Sequence, residues 1–183
     1  MIEESGVSEG SKADRIASAT RRTITEKMEE DPAFYMQFSE LLAETIRAYR
    51  EKRLSERDYL NGVIDLASKV ARKDRGRDVP DAIKGNDDGQ AFFGLLDGSL
   101  TTQAGEPVER EDAAQVALDI IGIIKAHHIV GVWSNEVAQN NMRNAIDDYF
   151  FDVLRDEKGV GVPVEMLDDL EQKIMDLARA RFP

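Results

Sequence analysis

Four short stretches carry residue types that could do chemistry. The first is "EQK" (Glu171, Gln172, Lys173), with Asp168 and Asp169 just upstream. A Glu-x-Lys triplet with nearby carboxylates is what a metal-dependent nuclease needs, provided that Glu and Lys share one face. On a strand they do. On a helix, residues two apart point about 200° away from each other. The segment from Leu167 to Arg181 places Leu167, Leu170, Ile174 and Leu177 on one seam, so it reads as a helix, and the triplet should split. The second stretch is His127-His128. Neighbouring side chains diverge, and no Glu-x-x-His pair completes a di-iron set. Two polar rings at a helix end suit its free carbonyls better. The third is "GVG" (Gly159–Gly161), which lacks the third glycine and preceding strand of a dinucleotide fingerprint and reads as a turn. No Gly-x-x-x-x-Gly-Lys-Ser/Thr occurs. The fourth is "RKDRGR", which sets Arg72, Lys73, Arg75 and Arg77 against Asp74 in a loop. Such a run can touch phosphates, but no aromatic residue interleaves with it to stack on bases. A solvated helix end is the plainer account of it.

Nucleophilic catalysis finds little support. There is no cysteine and no Gly-x-Ser-x-Gly elbow. Trp133 is the one tryptophan, between "IVGV" and "SNEVAQNN". Core packing is its ordinary role, and docking to another protein is the sharper alternative, because Trp is enriched at interface hot spots. Trp133, Arg72, Lys73, Arg75 and Arg77 are therefore the candidate contacts to a partner or DNA. Catalytic, cofactor and metal residues are expected to be absent.

The elements that hold these residues read at a helical period. Ser11 with Asp14 fits a helix start, and Ile16, Thr20 and Ile24 follow four apart. Asp31-Pro32 opens a second helix, whose stripe is Phe34, Phe38, Leu41, Leu42, Ile46 and Tyr49. Ser55 with Asp58 starts a third, with Tyr59, Val63, Leu66 and Val70 inward and Ile64 beside them. The short "KRLSE" link suggests antiparallel packing of the second and third helices. Residues 72–89 form a connector with one helical turn at Asp81–Lys84, and "QAFFGLL" plugs a core. "DGSLTTQAGEPVERED" reads as a loop. Further helices are expected over Glu111 to about His128, Asn135 to Arg155, and from Pro163 onward. "IVGVW" (Ile129–Trp133) is the best strand candidate, and a lone strand makes no sheet. The fold expected is all-α, an irregular bundle of six or seven helices. Residues 1–11 are read as a disordered lead-in and 12–183 as one helical domain, with a possible subdivision near 72–90.

Of the 183 residues, 42% are hydrophobic, enough for a substantial core. The 36 acidic residues outnumber the 24 basic ones, giving a net charge of -12, which disfavours non-specific binding to DNA or anionic lipid. The longest apolar run, Val116 to Ile124, is too short to span a bilayer and contains Asp119. With no signal-peptide pattern at the start, a cytoplasmic setting is the expectation.

The block from Arg21 to Tyr49, with "TRRTITEKMEEDPAFY" and "FSELL…TI…YR", resembles the C-terminal helical region of the R subunit of type I restriction-modification enzymes. "HIVGVWSNEVAQNNMRNAIDDYFFD" (His128–Asp152) is similar to the end of that region, although the family's acidic residue before the Trp is Val132 here. The resemblance spans about Ala13 to Pro183. It implies a helical module that docks a motor and nuclease subunit onto the modification and specificity subunits. DNA association would then be indirect, and no membrane would be involved. The family's ATP and Mg²⁺ serve domains whose residues match no position here, so no cofactor is expected in this segment. The alternatives are a stand-alone acidic protein-binding module, a DNA-mimic inhibitor, and a metal-dependent helical enzyme suggested by the abundant carboxylates.

Overall fold

The structure is a computed structural model and describes residues 7–76 and 79–183. It is all-α: seven α-helices and one two-stranded pairing lie among the described residues. The chain divides into two compact units. One takes in the described residues of 1–28 and 33–77, the other 29–32 and 78–183. One boundary falls inside the polar connector, and two more flank Glu29–Pro32.

The first unit holds α1 (Glu9–Lys27), α2 (Pro32–Arg50) and α3 (Glu56–Arg72). Helix α1 begins earlier than the sequence suggested. Ser8 caps it, accepting from the Ser11 amide at 3.2 Å, so Ser11 lies inside the helix. Part of the expected lead-in is therefore helical, and residues 1–6 of it lie outside the described residues. Ser55 caps α3 as expected, accepting from the Asp58 amide at 3.1 Å. Tyr59, Val63, Leu66 and Val70 are all buried.

Two details differ from the expectation. Leu41 and Ile64 are exposed, at 44% and 47%, because the core stripe of α2 turns toward Tyr35 and that of α3 stays narrow. Helices α2 and α3 do pack as antiparallel neighbours, with the Tyr49 and Tyr59 rings stacked 4.3 Å apart and Thr45 beside Gly62, while the backbone of α3 comes closer to α1. Side-chain size explains this. Helix α1 offers Gly10, Ala13 and Ala17 to the core, and small residues let helix axes come close. Helix α2 reaches the same core through Phe34, Tyr35, Phe38 and Leu42, whose bulk holds its axis off. The Gly10 amide donates to Glu56 Oε2 at 3.2 Å, and the Tyr59 hydroxyl donates to Asp14 Oδ1 at 2.9 Å. These contacts advance together along both helices, so α1 and α3 run parallel.

The second unit contains α4 (Asp87–Leu96), α5 (Arg110–His127), α6 (Glu136–Asp148) and α7 (Val164–Arg181). The 3₁₀ turn at Asp81–Ile83 lies where one helical turn was expected. Asn86 caps α4 through the Gly89 amide at 2.9 Å. Helix α5 is the core rod: Ala113, Ala114, Val116, Ala117, Ile120, Ile121 and Ile124 are buried along it. Around it pack Phe92 and Leu96 of α4, Met142 and Ile146 of α6, and Leu170, Ile174 and Leu177 of α7.

The long helix expected over 135–155 changes character part-way. After Asp148 the backbone widens into a π-helix, Tyr149–Glu157, with Tyr149, Phe150 and Leu154 facing inward. Such helices are rare and usually a single turn. "IVGVW" is not a strand. Gly131 takes a left-handed φ of 76°, the Val132 amide bonds back to the Ile129 carbonyl at 3.0 Å, and Val132–Ser134 forms a 3₁₀ turn. A glycine that reverses the chain overrides the β-preference of its branched neighbours. Strands occur instead in two segments that read as loops. β1 (Thr101–Thr102) pairs antiparallel with β2 (Val160–Gly161), and Thr101 also bridges to Pro107.

Candidate functional site

Trp133 is half-buried and committed within its own unit. Its indole N–H donates to the Phe182 carbonyl at 2.6 Å. The same carbonyl accepts from His128 Nε2 at 2.9 Å, and the His128 and Trp133 rings lie 6.4 Å apart. Together they hold the chain where it leaves α7. His127 donates from Nδ1 to the Ile123 carbonyl at 2.9 Å, the helix-end role that its position suggested. Close in sequence to this clamp, Ile129, Val130 and Val137 are 52%, 104% and 69% exposed, alongside the exposed Ser134, Asn135 and Glu136.

The basic run is dispersed. Arg72 ends α3 and is exposed. Lys73 takes a left-handed φ of 51° at the helix C-cap. Arg75 folds back over the Phe34 ring, 5.2 Å from its centroid. Arg77 lies outside the described residues. The run therefore does not present one convergent basic face among the described residues.

The Glu-x-Lys triplet splits as helix geometry requires. Lys173 pairs with Asp169 at 2.6 Å on the solvent side. Glu171 has Asp147 of α6 as a charged neighbour. Asp147 Oδ1 is buried and accepts no hydrogen bond among the described residues. Burial first, then the Asp147 carboxylate and then Asp168 push the Glu171 carboxyl up to about 8, against the opposing pull of Arg143. Arg143 itself donates to Gln172 Oε1 at 2.9 Å, a second polar tie between α6 and α7. Among the described residues, no three His, Asp or Glu side chains converge well enough to hold a metal ion.

Sequence reasoning missed two features. One is an open groove of about 680 Å³ beside the β1–β2 pairing, lined by Glu106, Glu109, Asp112, Asp156, Glu157 and Lys158 among others. Lys158 leans away toward Asp119, 3.6 Å off, and sits 5.9 Å from the Tyr149 ring centroid. Arg155 engages Asp156 at 2.8 Å. The groove is thus strongly acidic. The acidic run "GEPVERED" was the available signal, but its partner segment lies far along the chain. The other feature is the Tyr149 hydroxyl, which donates to Asp119 Oδ2 at 2.6 Å. Burial, followed by that carboxylate, raises the tyrosine well above its ordinary value.

The fold and these surfaces define an all-α protein with exposed aliphatic side chains near Trp133, an acidic groove and no helix, among the described residues, long and apolar enough to cross a membrane. No family model, curated protein or solved structure matches the chain.

Proposed function

We propose that this chain is a helical assembly module of a type I restriction R subunit, docking the motor and nuclease part onto the modification and specificity subunits without chemistry of its own. The observation that carries the reading is the block Arg21–Tyr49, which resembles that family and folds here as α1 and α2 around one core. The exposed Ile129, Val130 and Val137, inside the second resembling stretch, are the apolar side chains offered to a partner. Exposed aliphatic residues around a clamped aromatic are the make-up of an interface centre.

The test is co-purification with the modification and specificity subunits. The chain should be retained, and Val130→Asp should weaken retention by about tenfold or more, as loss of a central apolar contact does. No retention of the native chain by either subunit overturns the reading.

The acidic groove favours a second reading, a stand-alone acidic module that binds a basic protein surface. Competition with DNA for a helicase or nuclease separates the two, because the assembly module should not displace DNA.

A further inference from the structure

We propose that the segment Tyr149–Glu157 can wind in two registers, that Asp119 of α5 pins it in the π register, and that this winding sets the β1–β2 pairing. The device is independent of what the chain docks to. A π winding is rare and mostly one turn long, so nine residues of it need support from outside the segment. Asp119 gives that support at both ends. Its Oδ2 accepts from the Tyr149 hydroxyl at 2.6 Å and lies 3.6 Å from Nζ of Lys158, the residue just past the segment. Gln115, one turn earlier on α5, donates to Asp119 Oδ1 at 2.9 Å and holds the carboxylate in place. The Lys158 ammonium also lies 5.9 Å from the Tyr149 ring centroid.

Tyr149 and Lys158 can meet at one carboxylate in one winding only. In an α-helix the nine steps between them make about two and a half turns, so the two side chains would leave on opposite faces. With i→i+5 bonding the turn is wider, and nine steps make about two turns. Lys158 then returns to the face of Tyr149. The Lys158 amide follows the same winding, since it donates to the Val153 carbonyl, five residues back, at 3.0 Å. In the α register its acceptor would be Leu154. The Tyr149 bond is the stronger pin, because its side chain is buried while the lysine pair is open to water.

The winding reaches beyond the segment. Gly159 follows at once, and its carbonyl accepts from the Gln103 amide at 3.1 Å. Val160 and Gly161 then pair with Thr102 and Thr101. Turning Lys158 through about half a turn would carry Gly159 with it and break that pairing. Asp156, Glu157 and Lys158 also line the groove, so its wall moves with the segment.

Scalar couplings across hydrogen bonds, measured on the full isotope-labelled chain, identify the acceptor of the Lys158 amide directly. In the native chain the coupling should run to Val153. In Asp119→Ala it should move to Leu154, and exchange of the Gln103 amide should accelerate by about tenfold or more as its bond to Gly159 is lost. Should that variant fold poorly, Tyr149→Phe combined with Lys158→Met removes the same two contacts and keeps the ring and the stem. Arg155→Ala lies inside the segment but touches neither pin, so its coupling should stay at Val153. Retention of Val153 as acceptor once both pins are gone overturns the proposal, as does a native coupling to Leu154. A pinless segment that loses its coupling altogether has no second register and overturns it equally.

Discussion

Two helix seams, one in each unit, solve the same packing problem with different polar chemistry. The α1–α3 seam brings Ala13 and Ala17 against Tyr59 and Val63, and its buried hydroxyl has a partner, Asp14, that is itself exposed to water. The α6–α7 seam brings Met142 and Ile146 into the core with Leu170 and Ile174, and leaves Asp147 Oδ1 buried without a hydrogen bond among the described residues. Apolar burial dominates both. What differs is the pH at which each seam feels its polar group. Burial, reinforced by Asp14, pushes the Tyr59 hydroxyl up to about 12, so that group is silent near 8, where the Glu171 carboxyl is raised.

The largest expected effect comes from the apolar part. Ile174→Ala leaves a cavity beside α5 and should cost about 2–5 kcal/mol in denaturant unfolding. The loss should be the same at low and high pH, because no titrating group is touched. A loss that grows with pH would mean that Ile174 and the Glu171 carboxyl are coupled and that the two seams differ less cleanly than described.

A smaller effect is expected at the other seam. Tyr59→Phe removes one hydrogen bond and should cost about 1 kcal/mol at neutral pH. The raised tyrosine contributes stability that is present below its ordinary value of 10.0 and is lost as pH rises through about 12. The native chain should therefore lose more stability in that alkaline window than the Phe variant, in which the raised Tyr149 still contributes its own loss. Thermal unfolding of both proteins across that window checks the sign.

Ser55→Ala should do slightly less, because the cap serves the exposed start of α3 and water can replace it. About 0.5–1 kcal/mol is expected, read from the unfolding midpoint, with no pH signature.

The helices were legible because their spacings are regular. Tyr59, Val63, Leu66 and Val70 identify α3's buried face from the sequence alone, and Ser55 marks its start. The divergence of Glu171 and Lys173 also followed from helix geometry. The destination of Glu171 did not, because Asp147 sits on another helix and local spacing carries no information about it. The same limit hid the groove, whose walls come from two distant segments. Trp133 was legible as a packing residue, but not as one of two donors to a single carbonyl. The "IVGVW" strand was a misreading of branched residues, because one left-handed glycine turns the chain there. The π-helix left no mark in the pattern, since its inward residues also satisfy an α-helical stripe.

The clamp on the Phe182 carbonyl has a practical consequence for optical work. The chain's single indole lies in the second unit, while Tyr35, Tyr49 and Tyr59 all lie in the first. Selective excitation of tryptophan therefore watches one unit while the other stays dark. Because that indole grips the backbone where α7 ends, its emission should change when that end frays, before the rest of the unit unfolds.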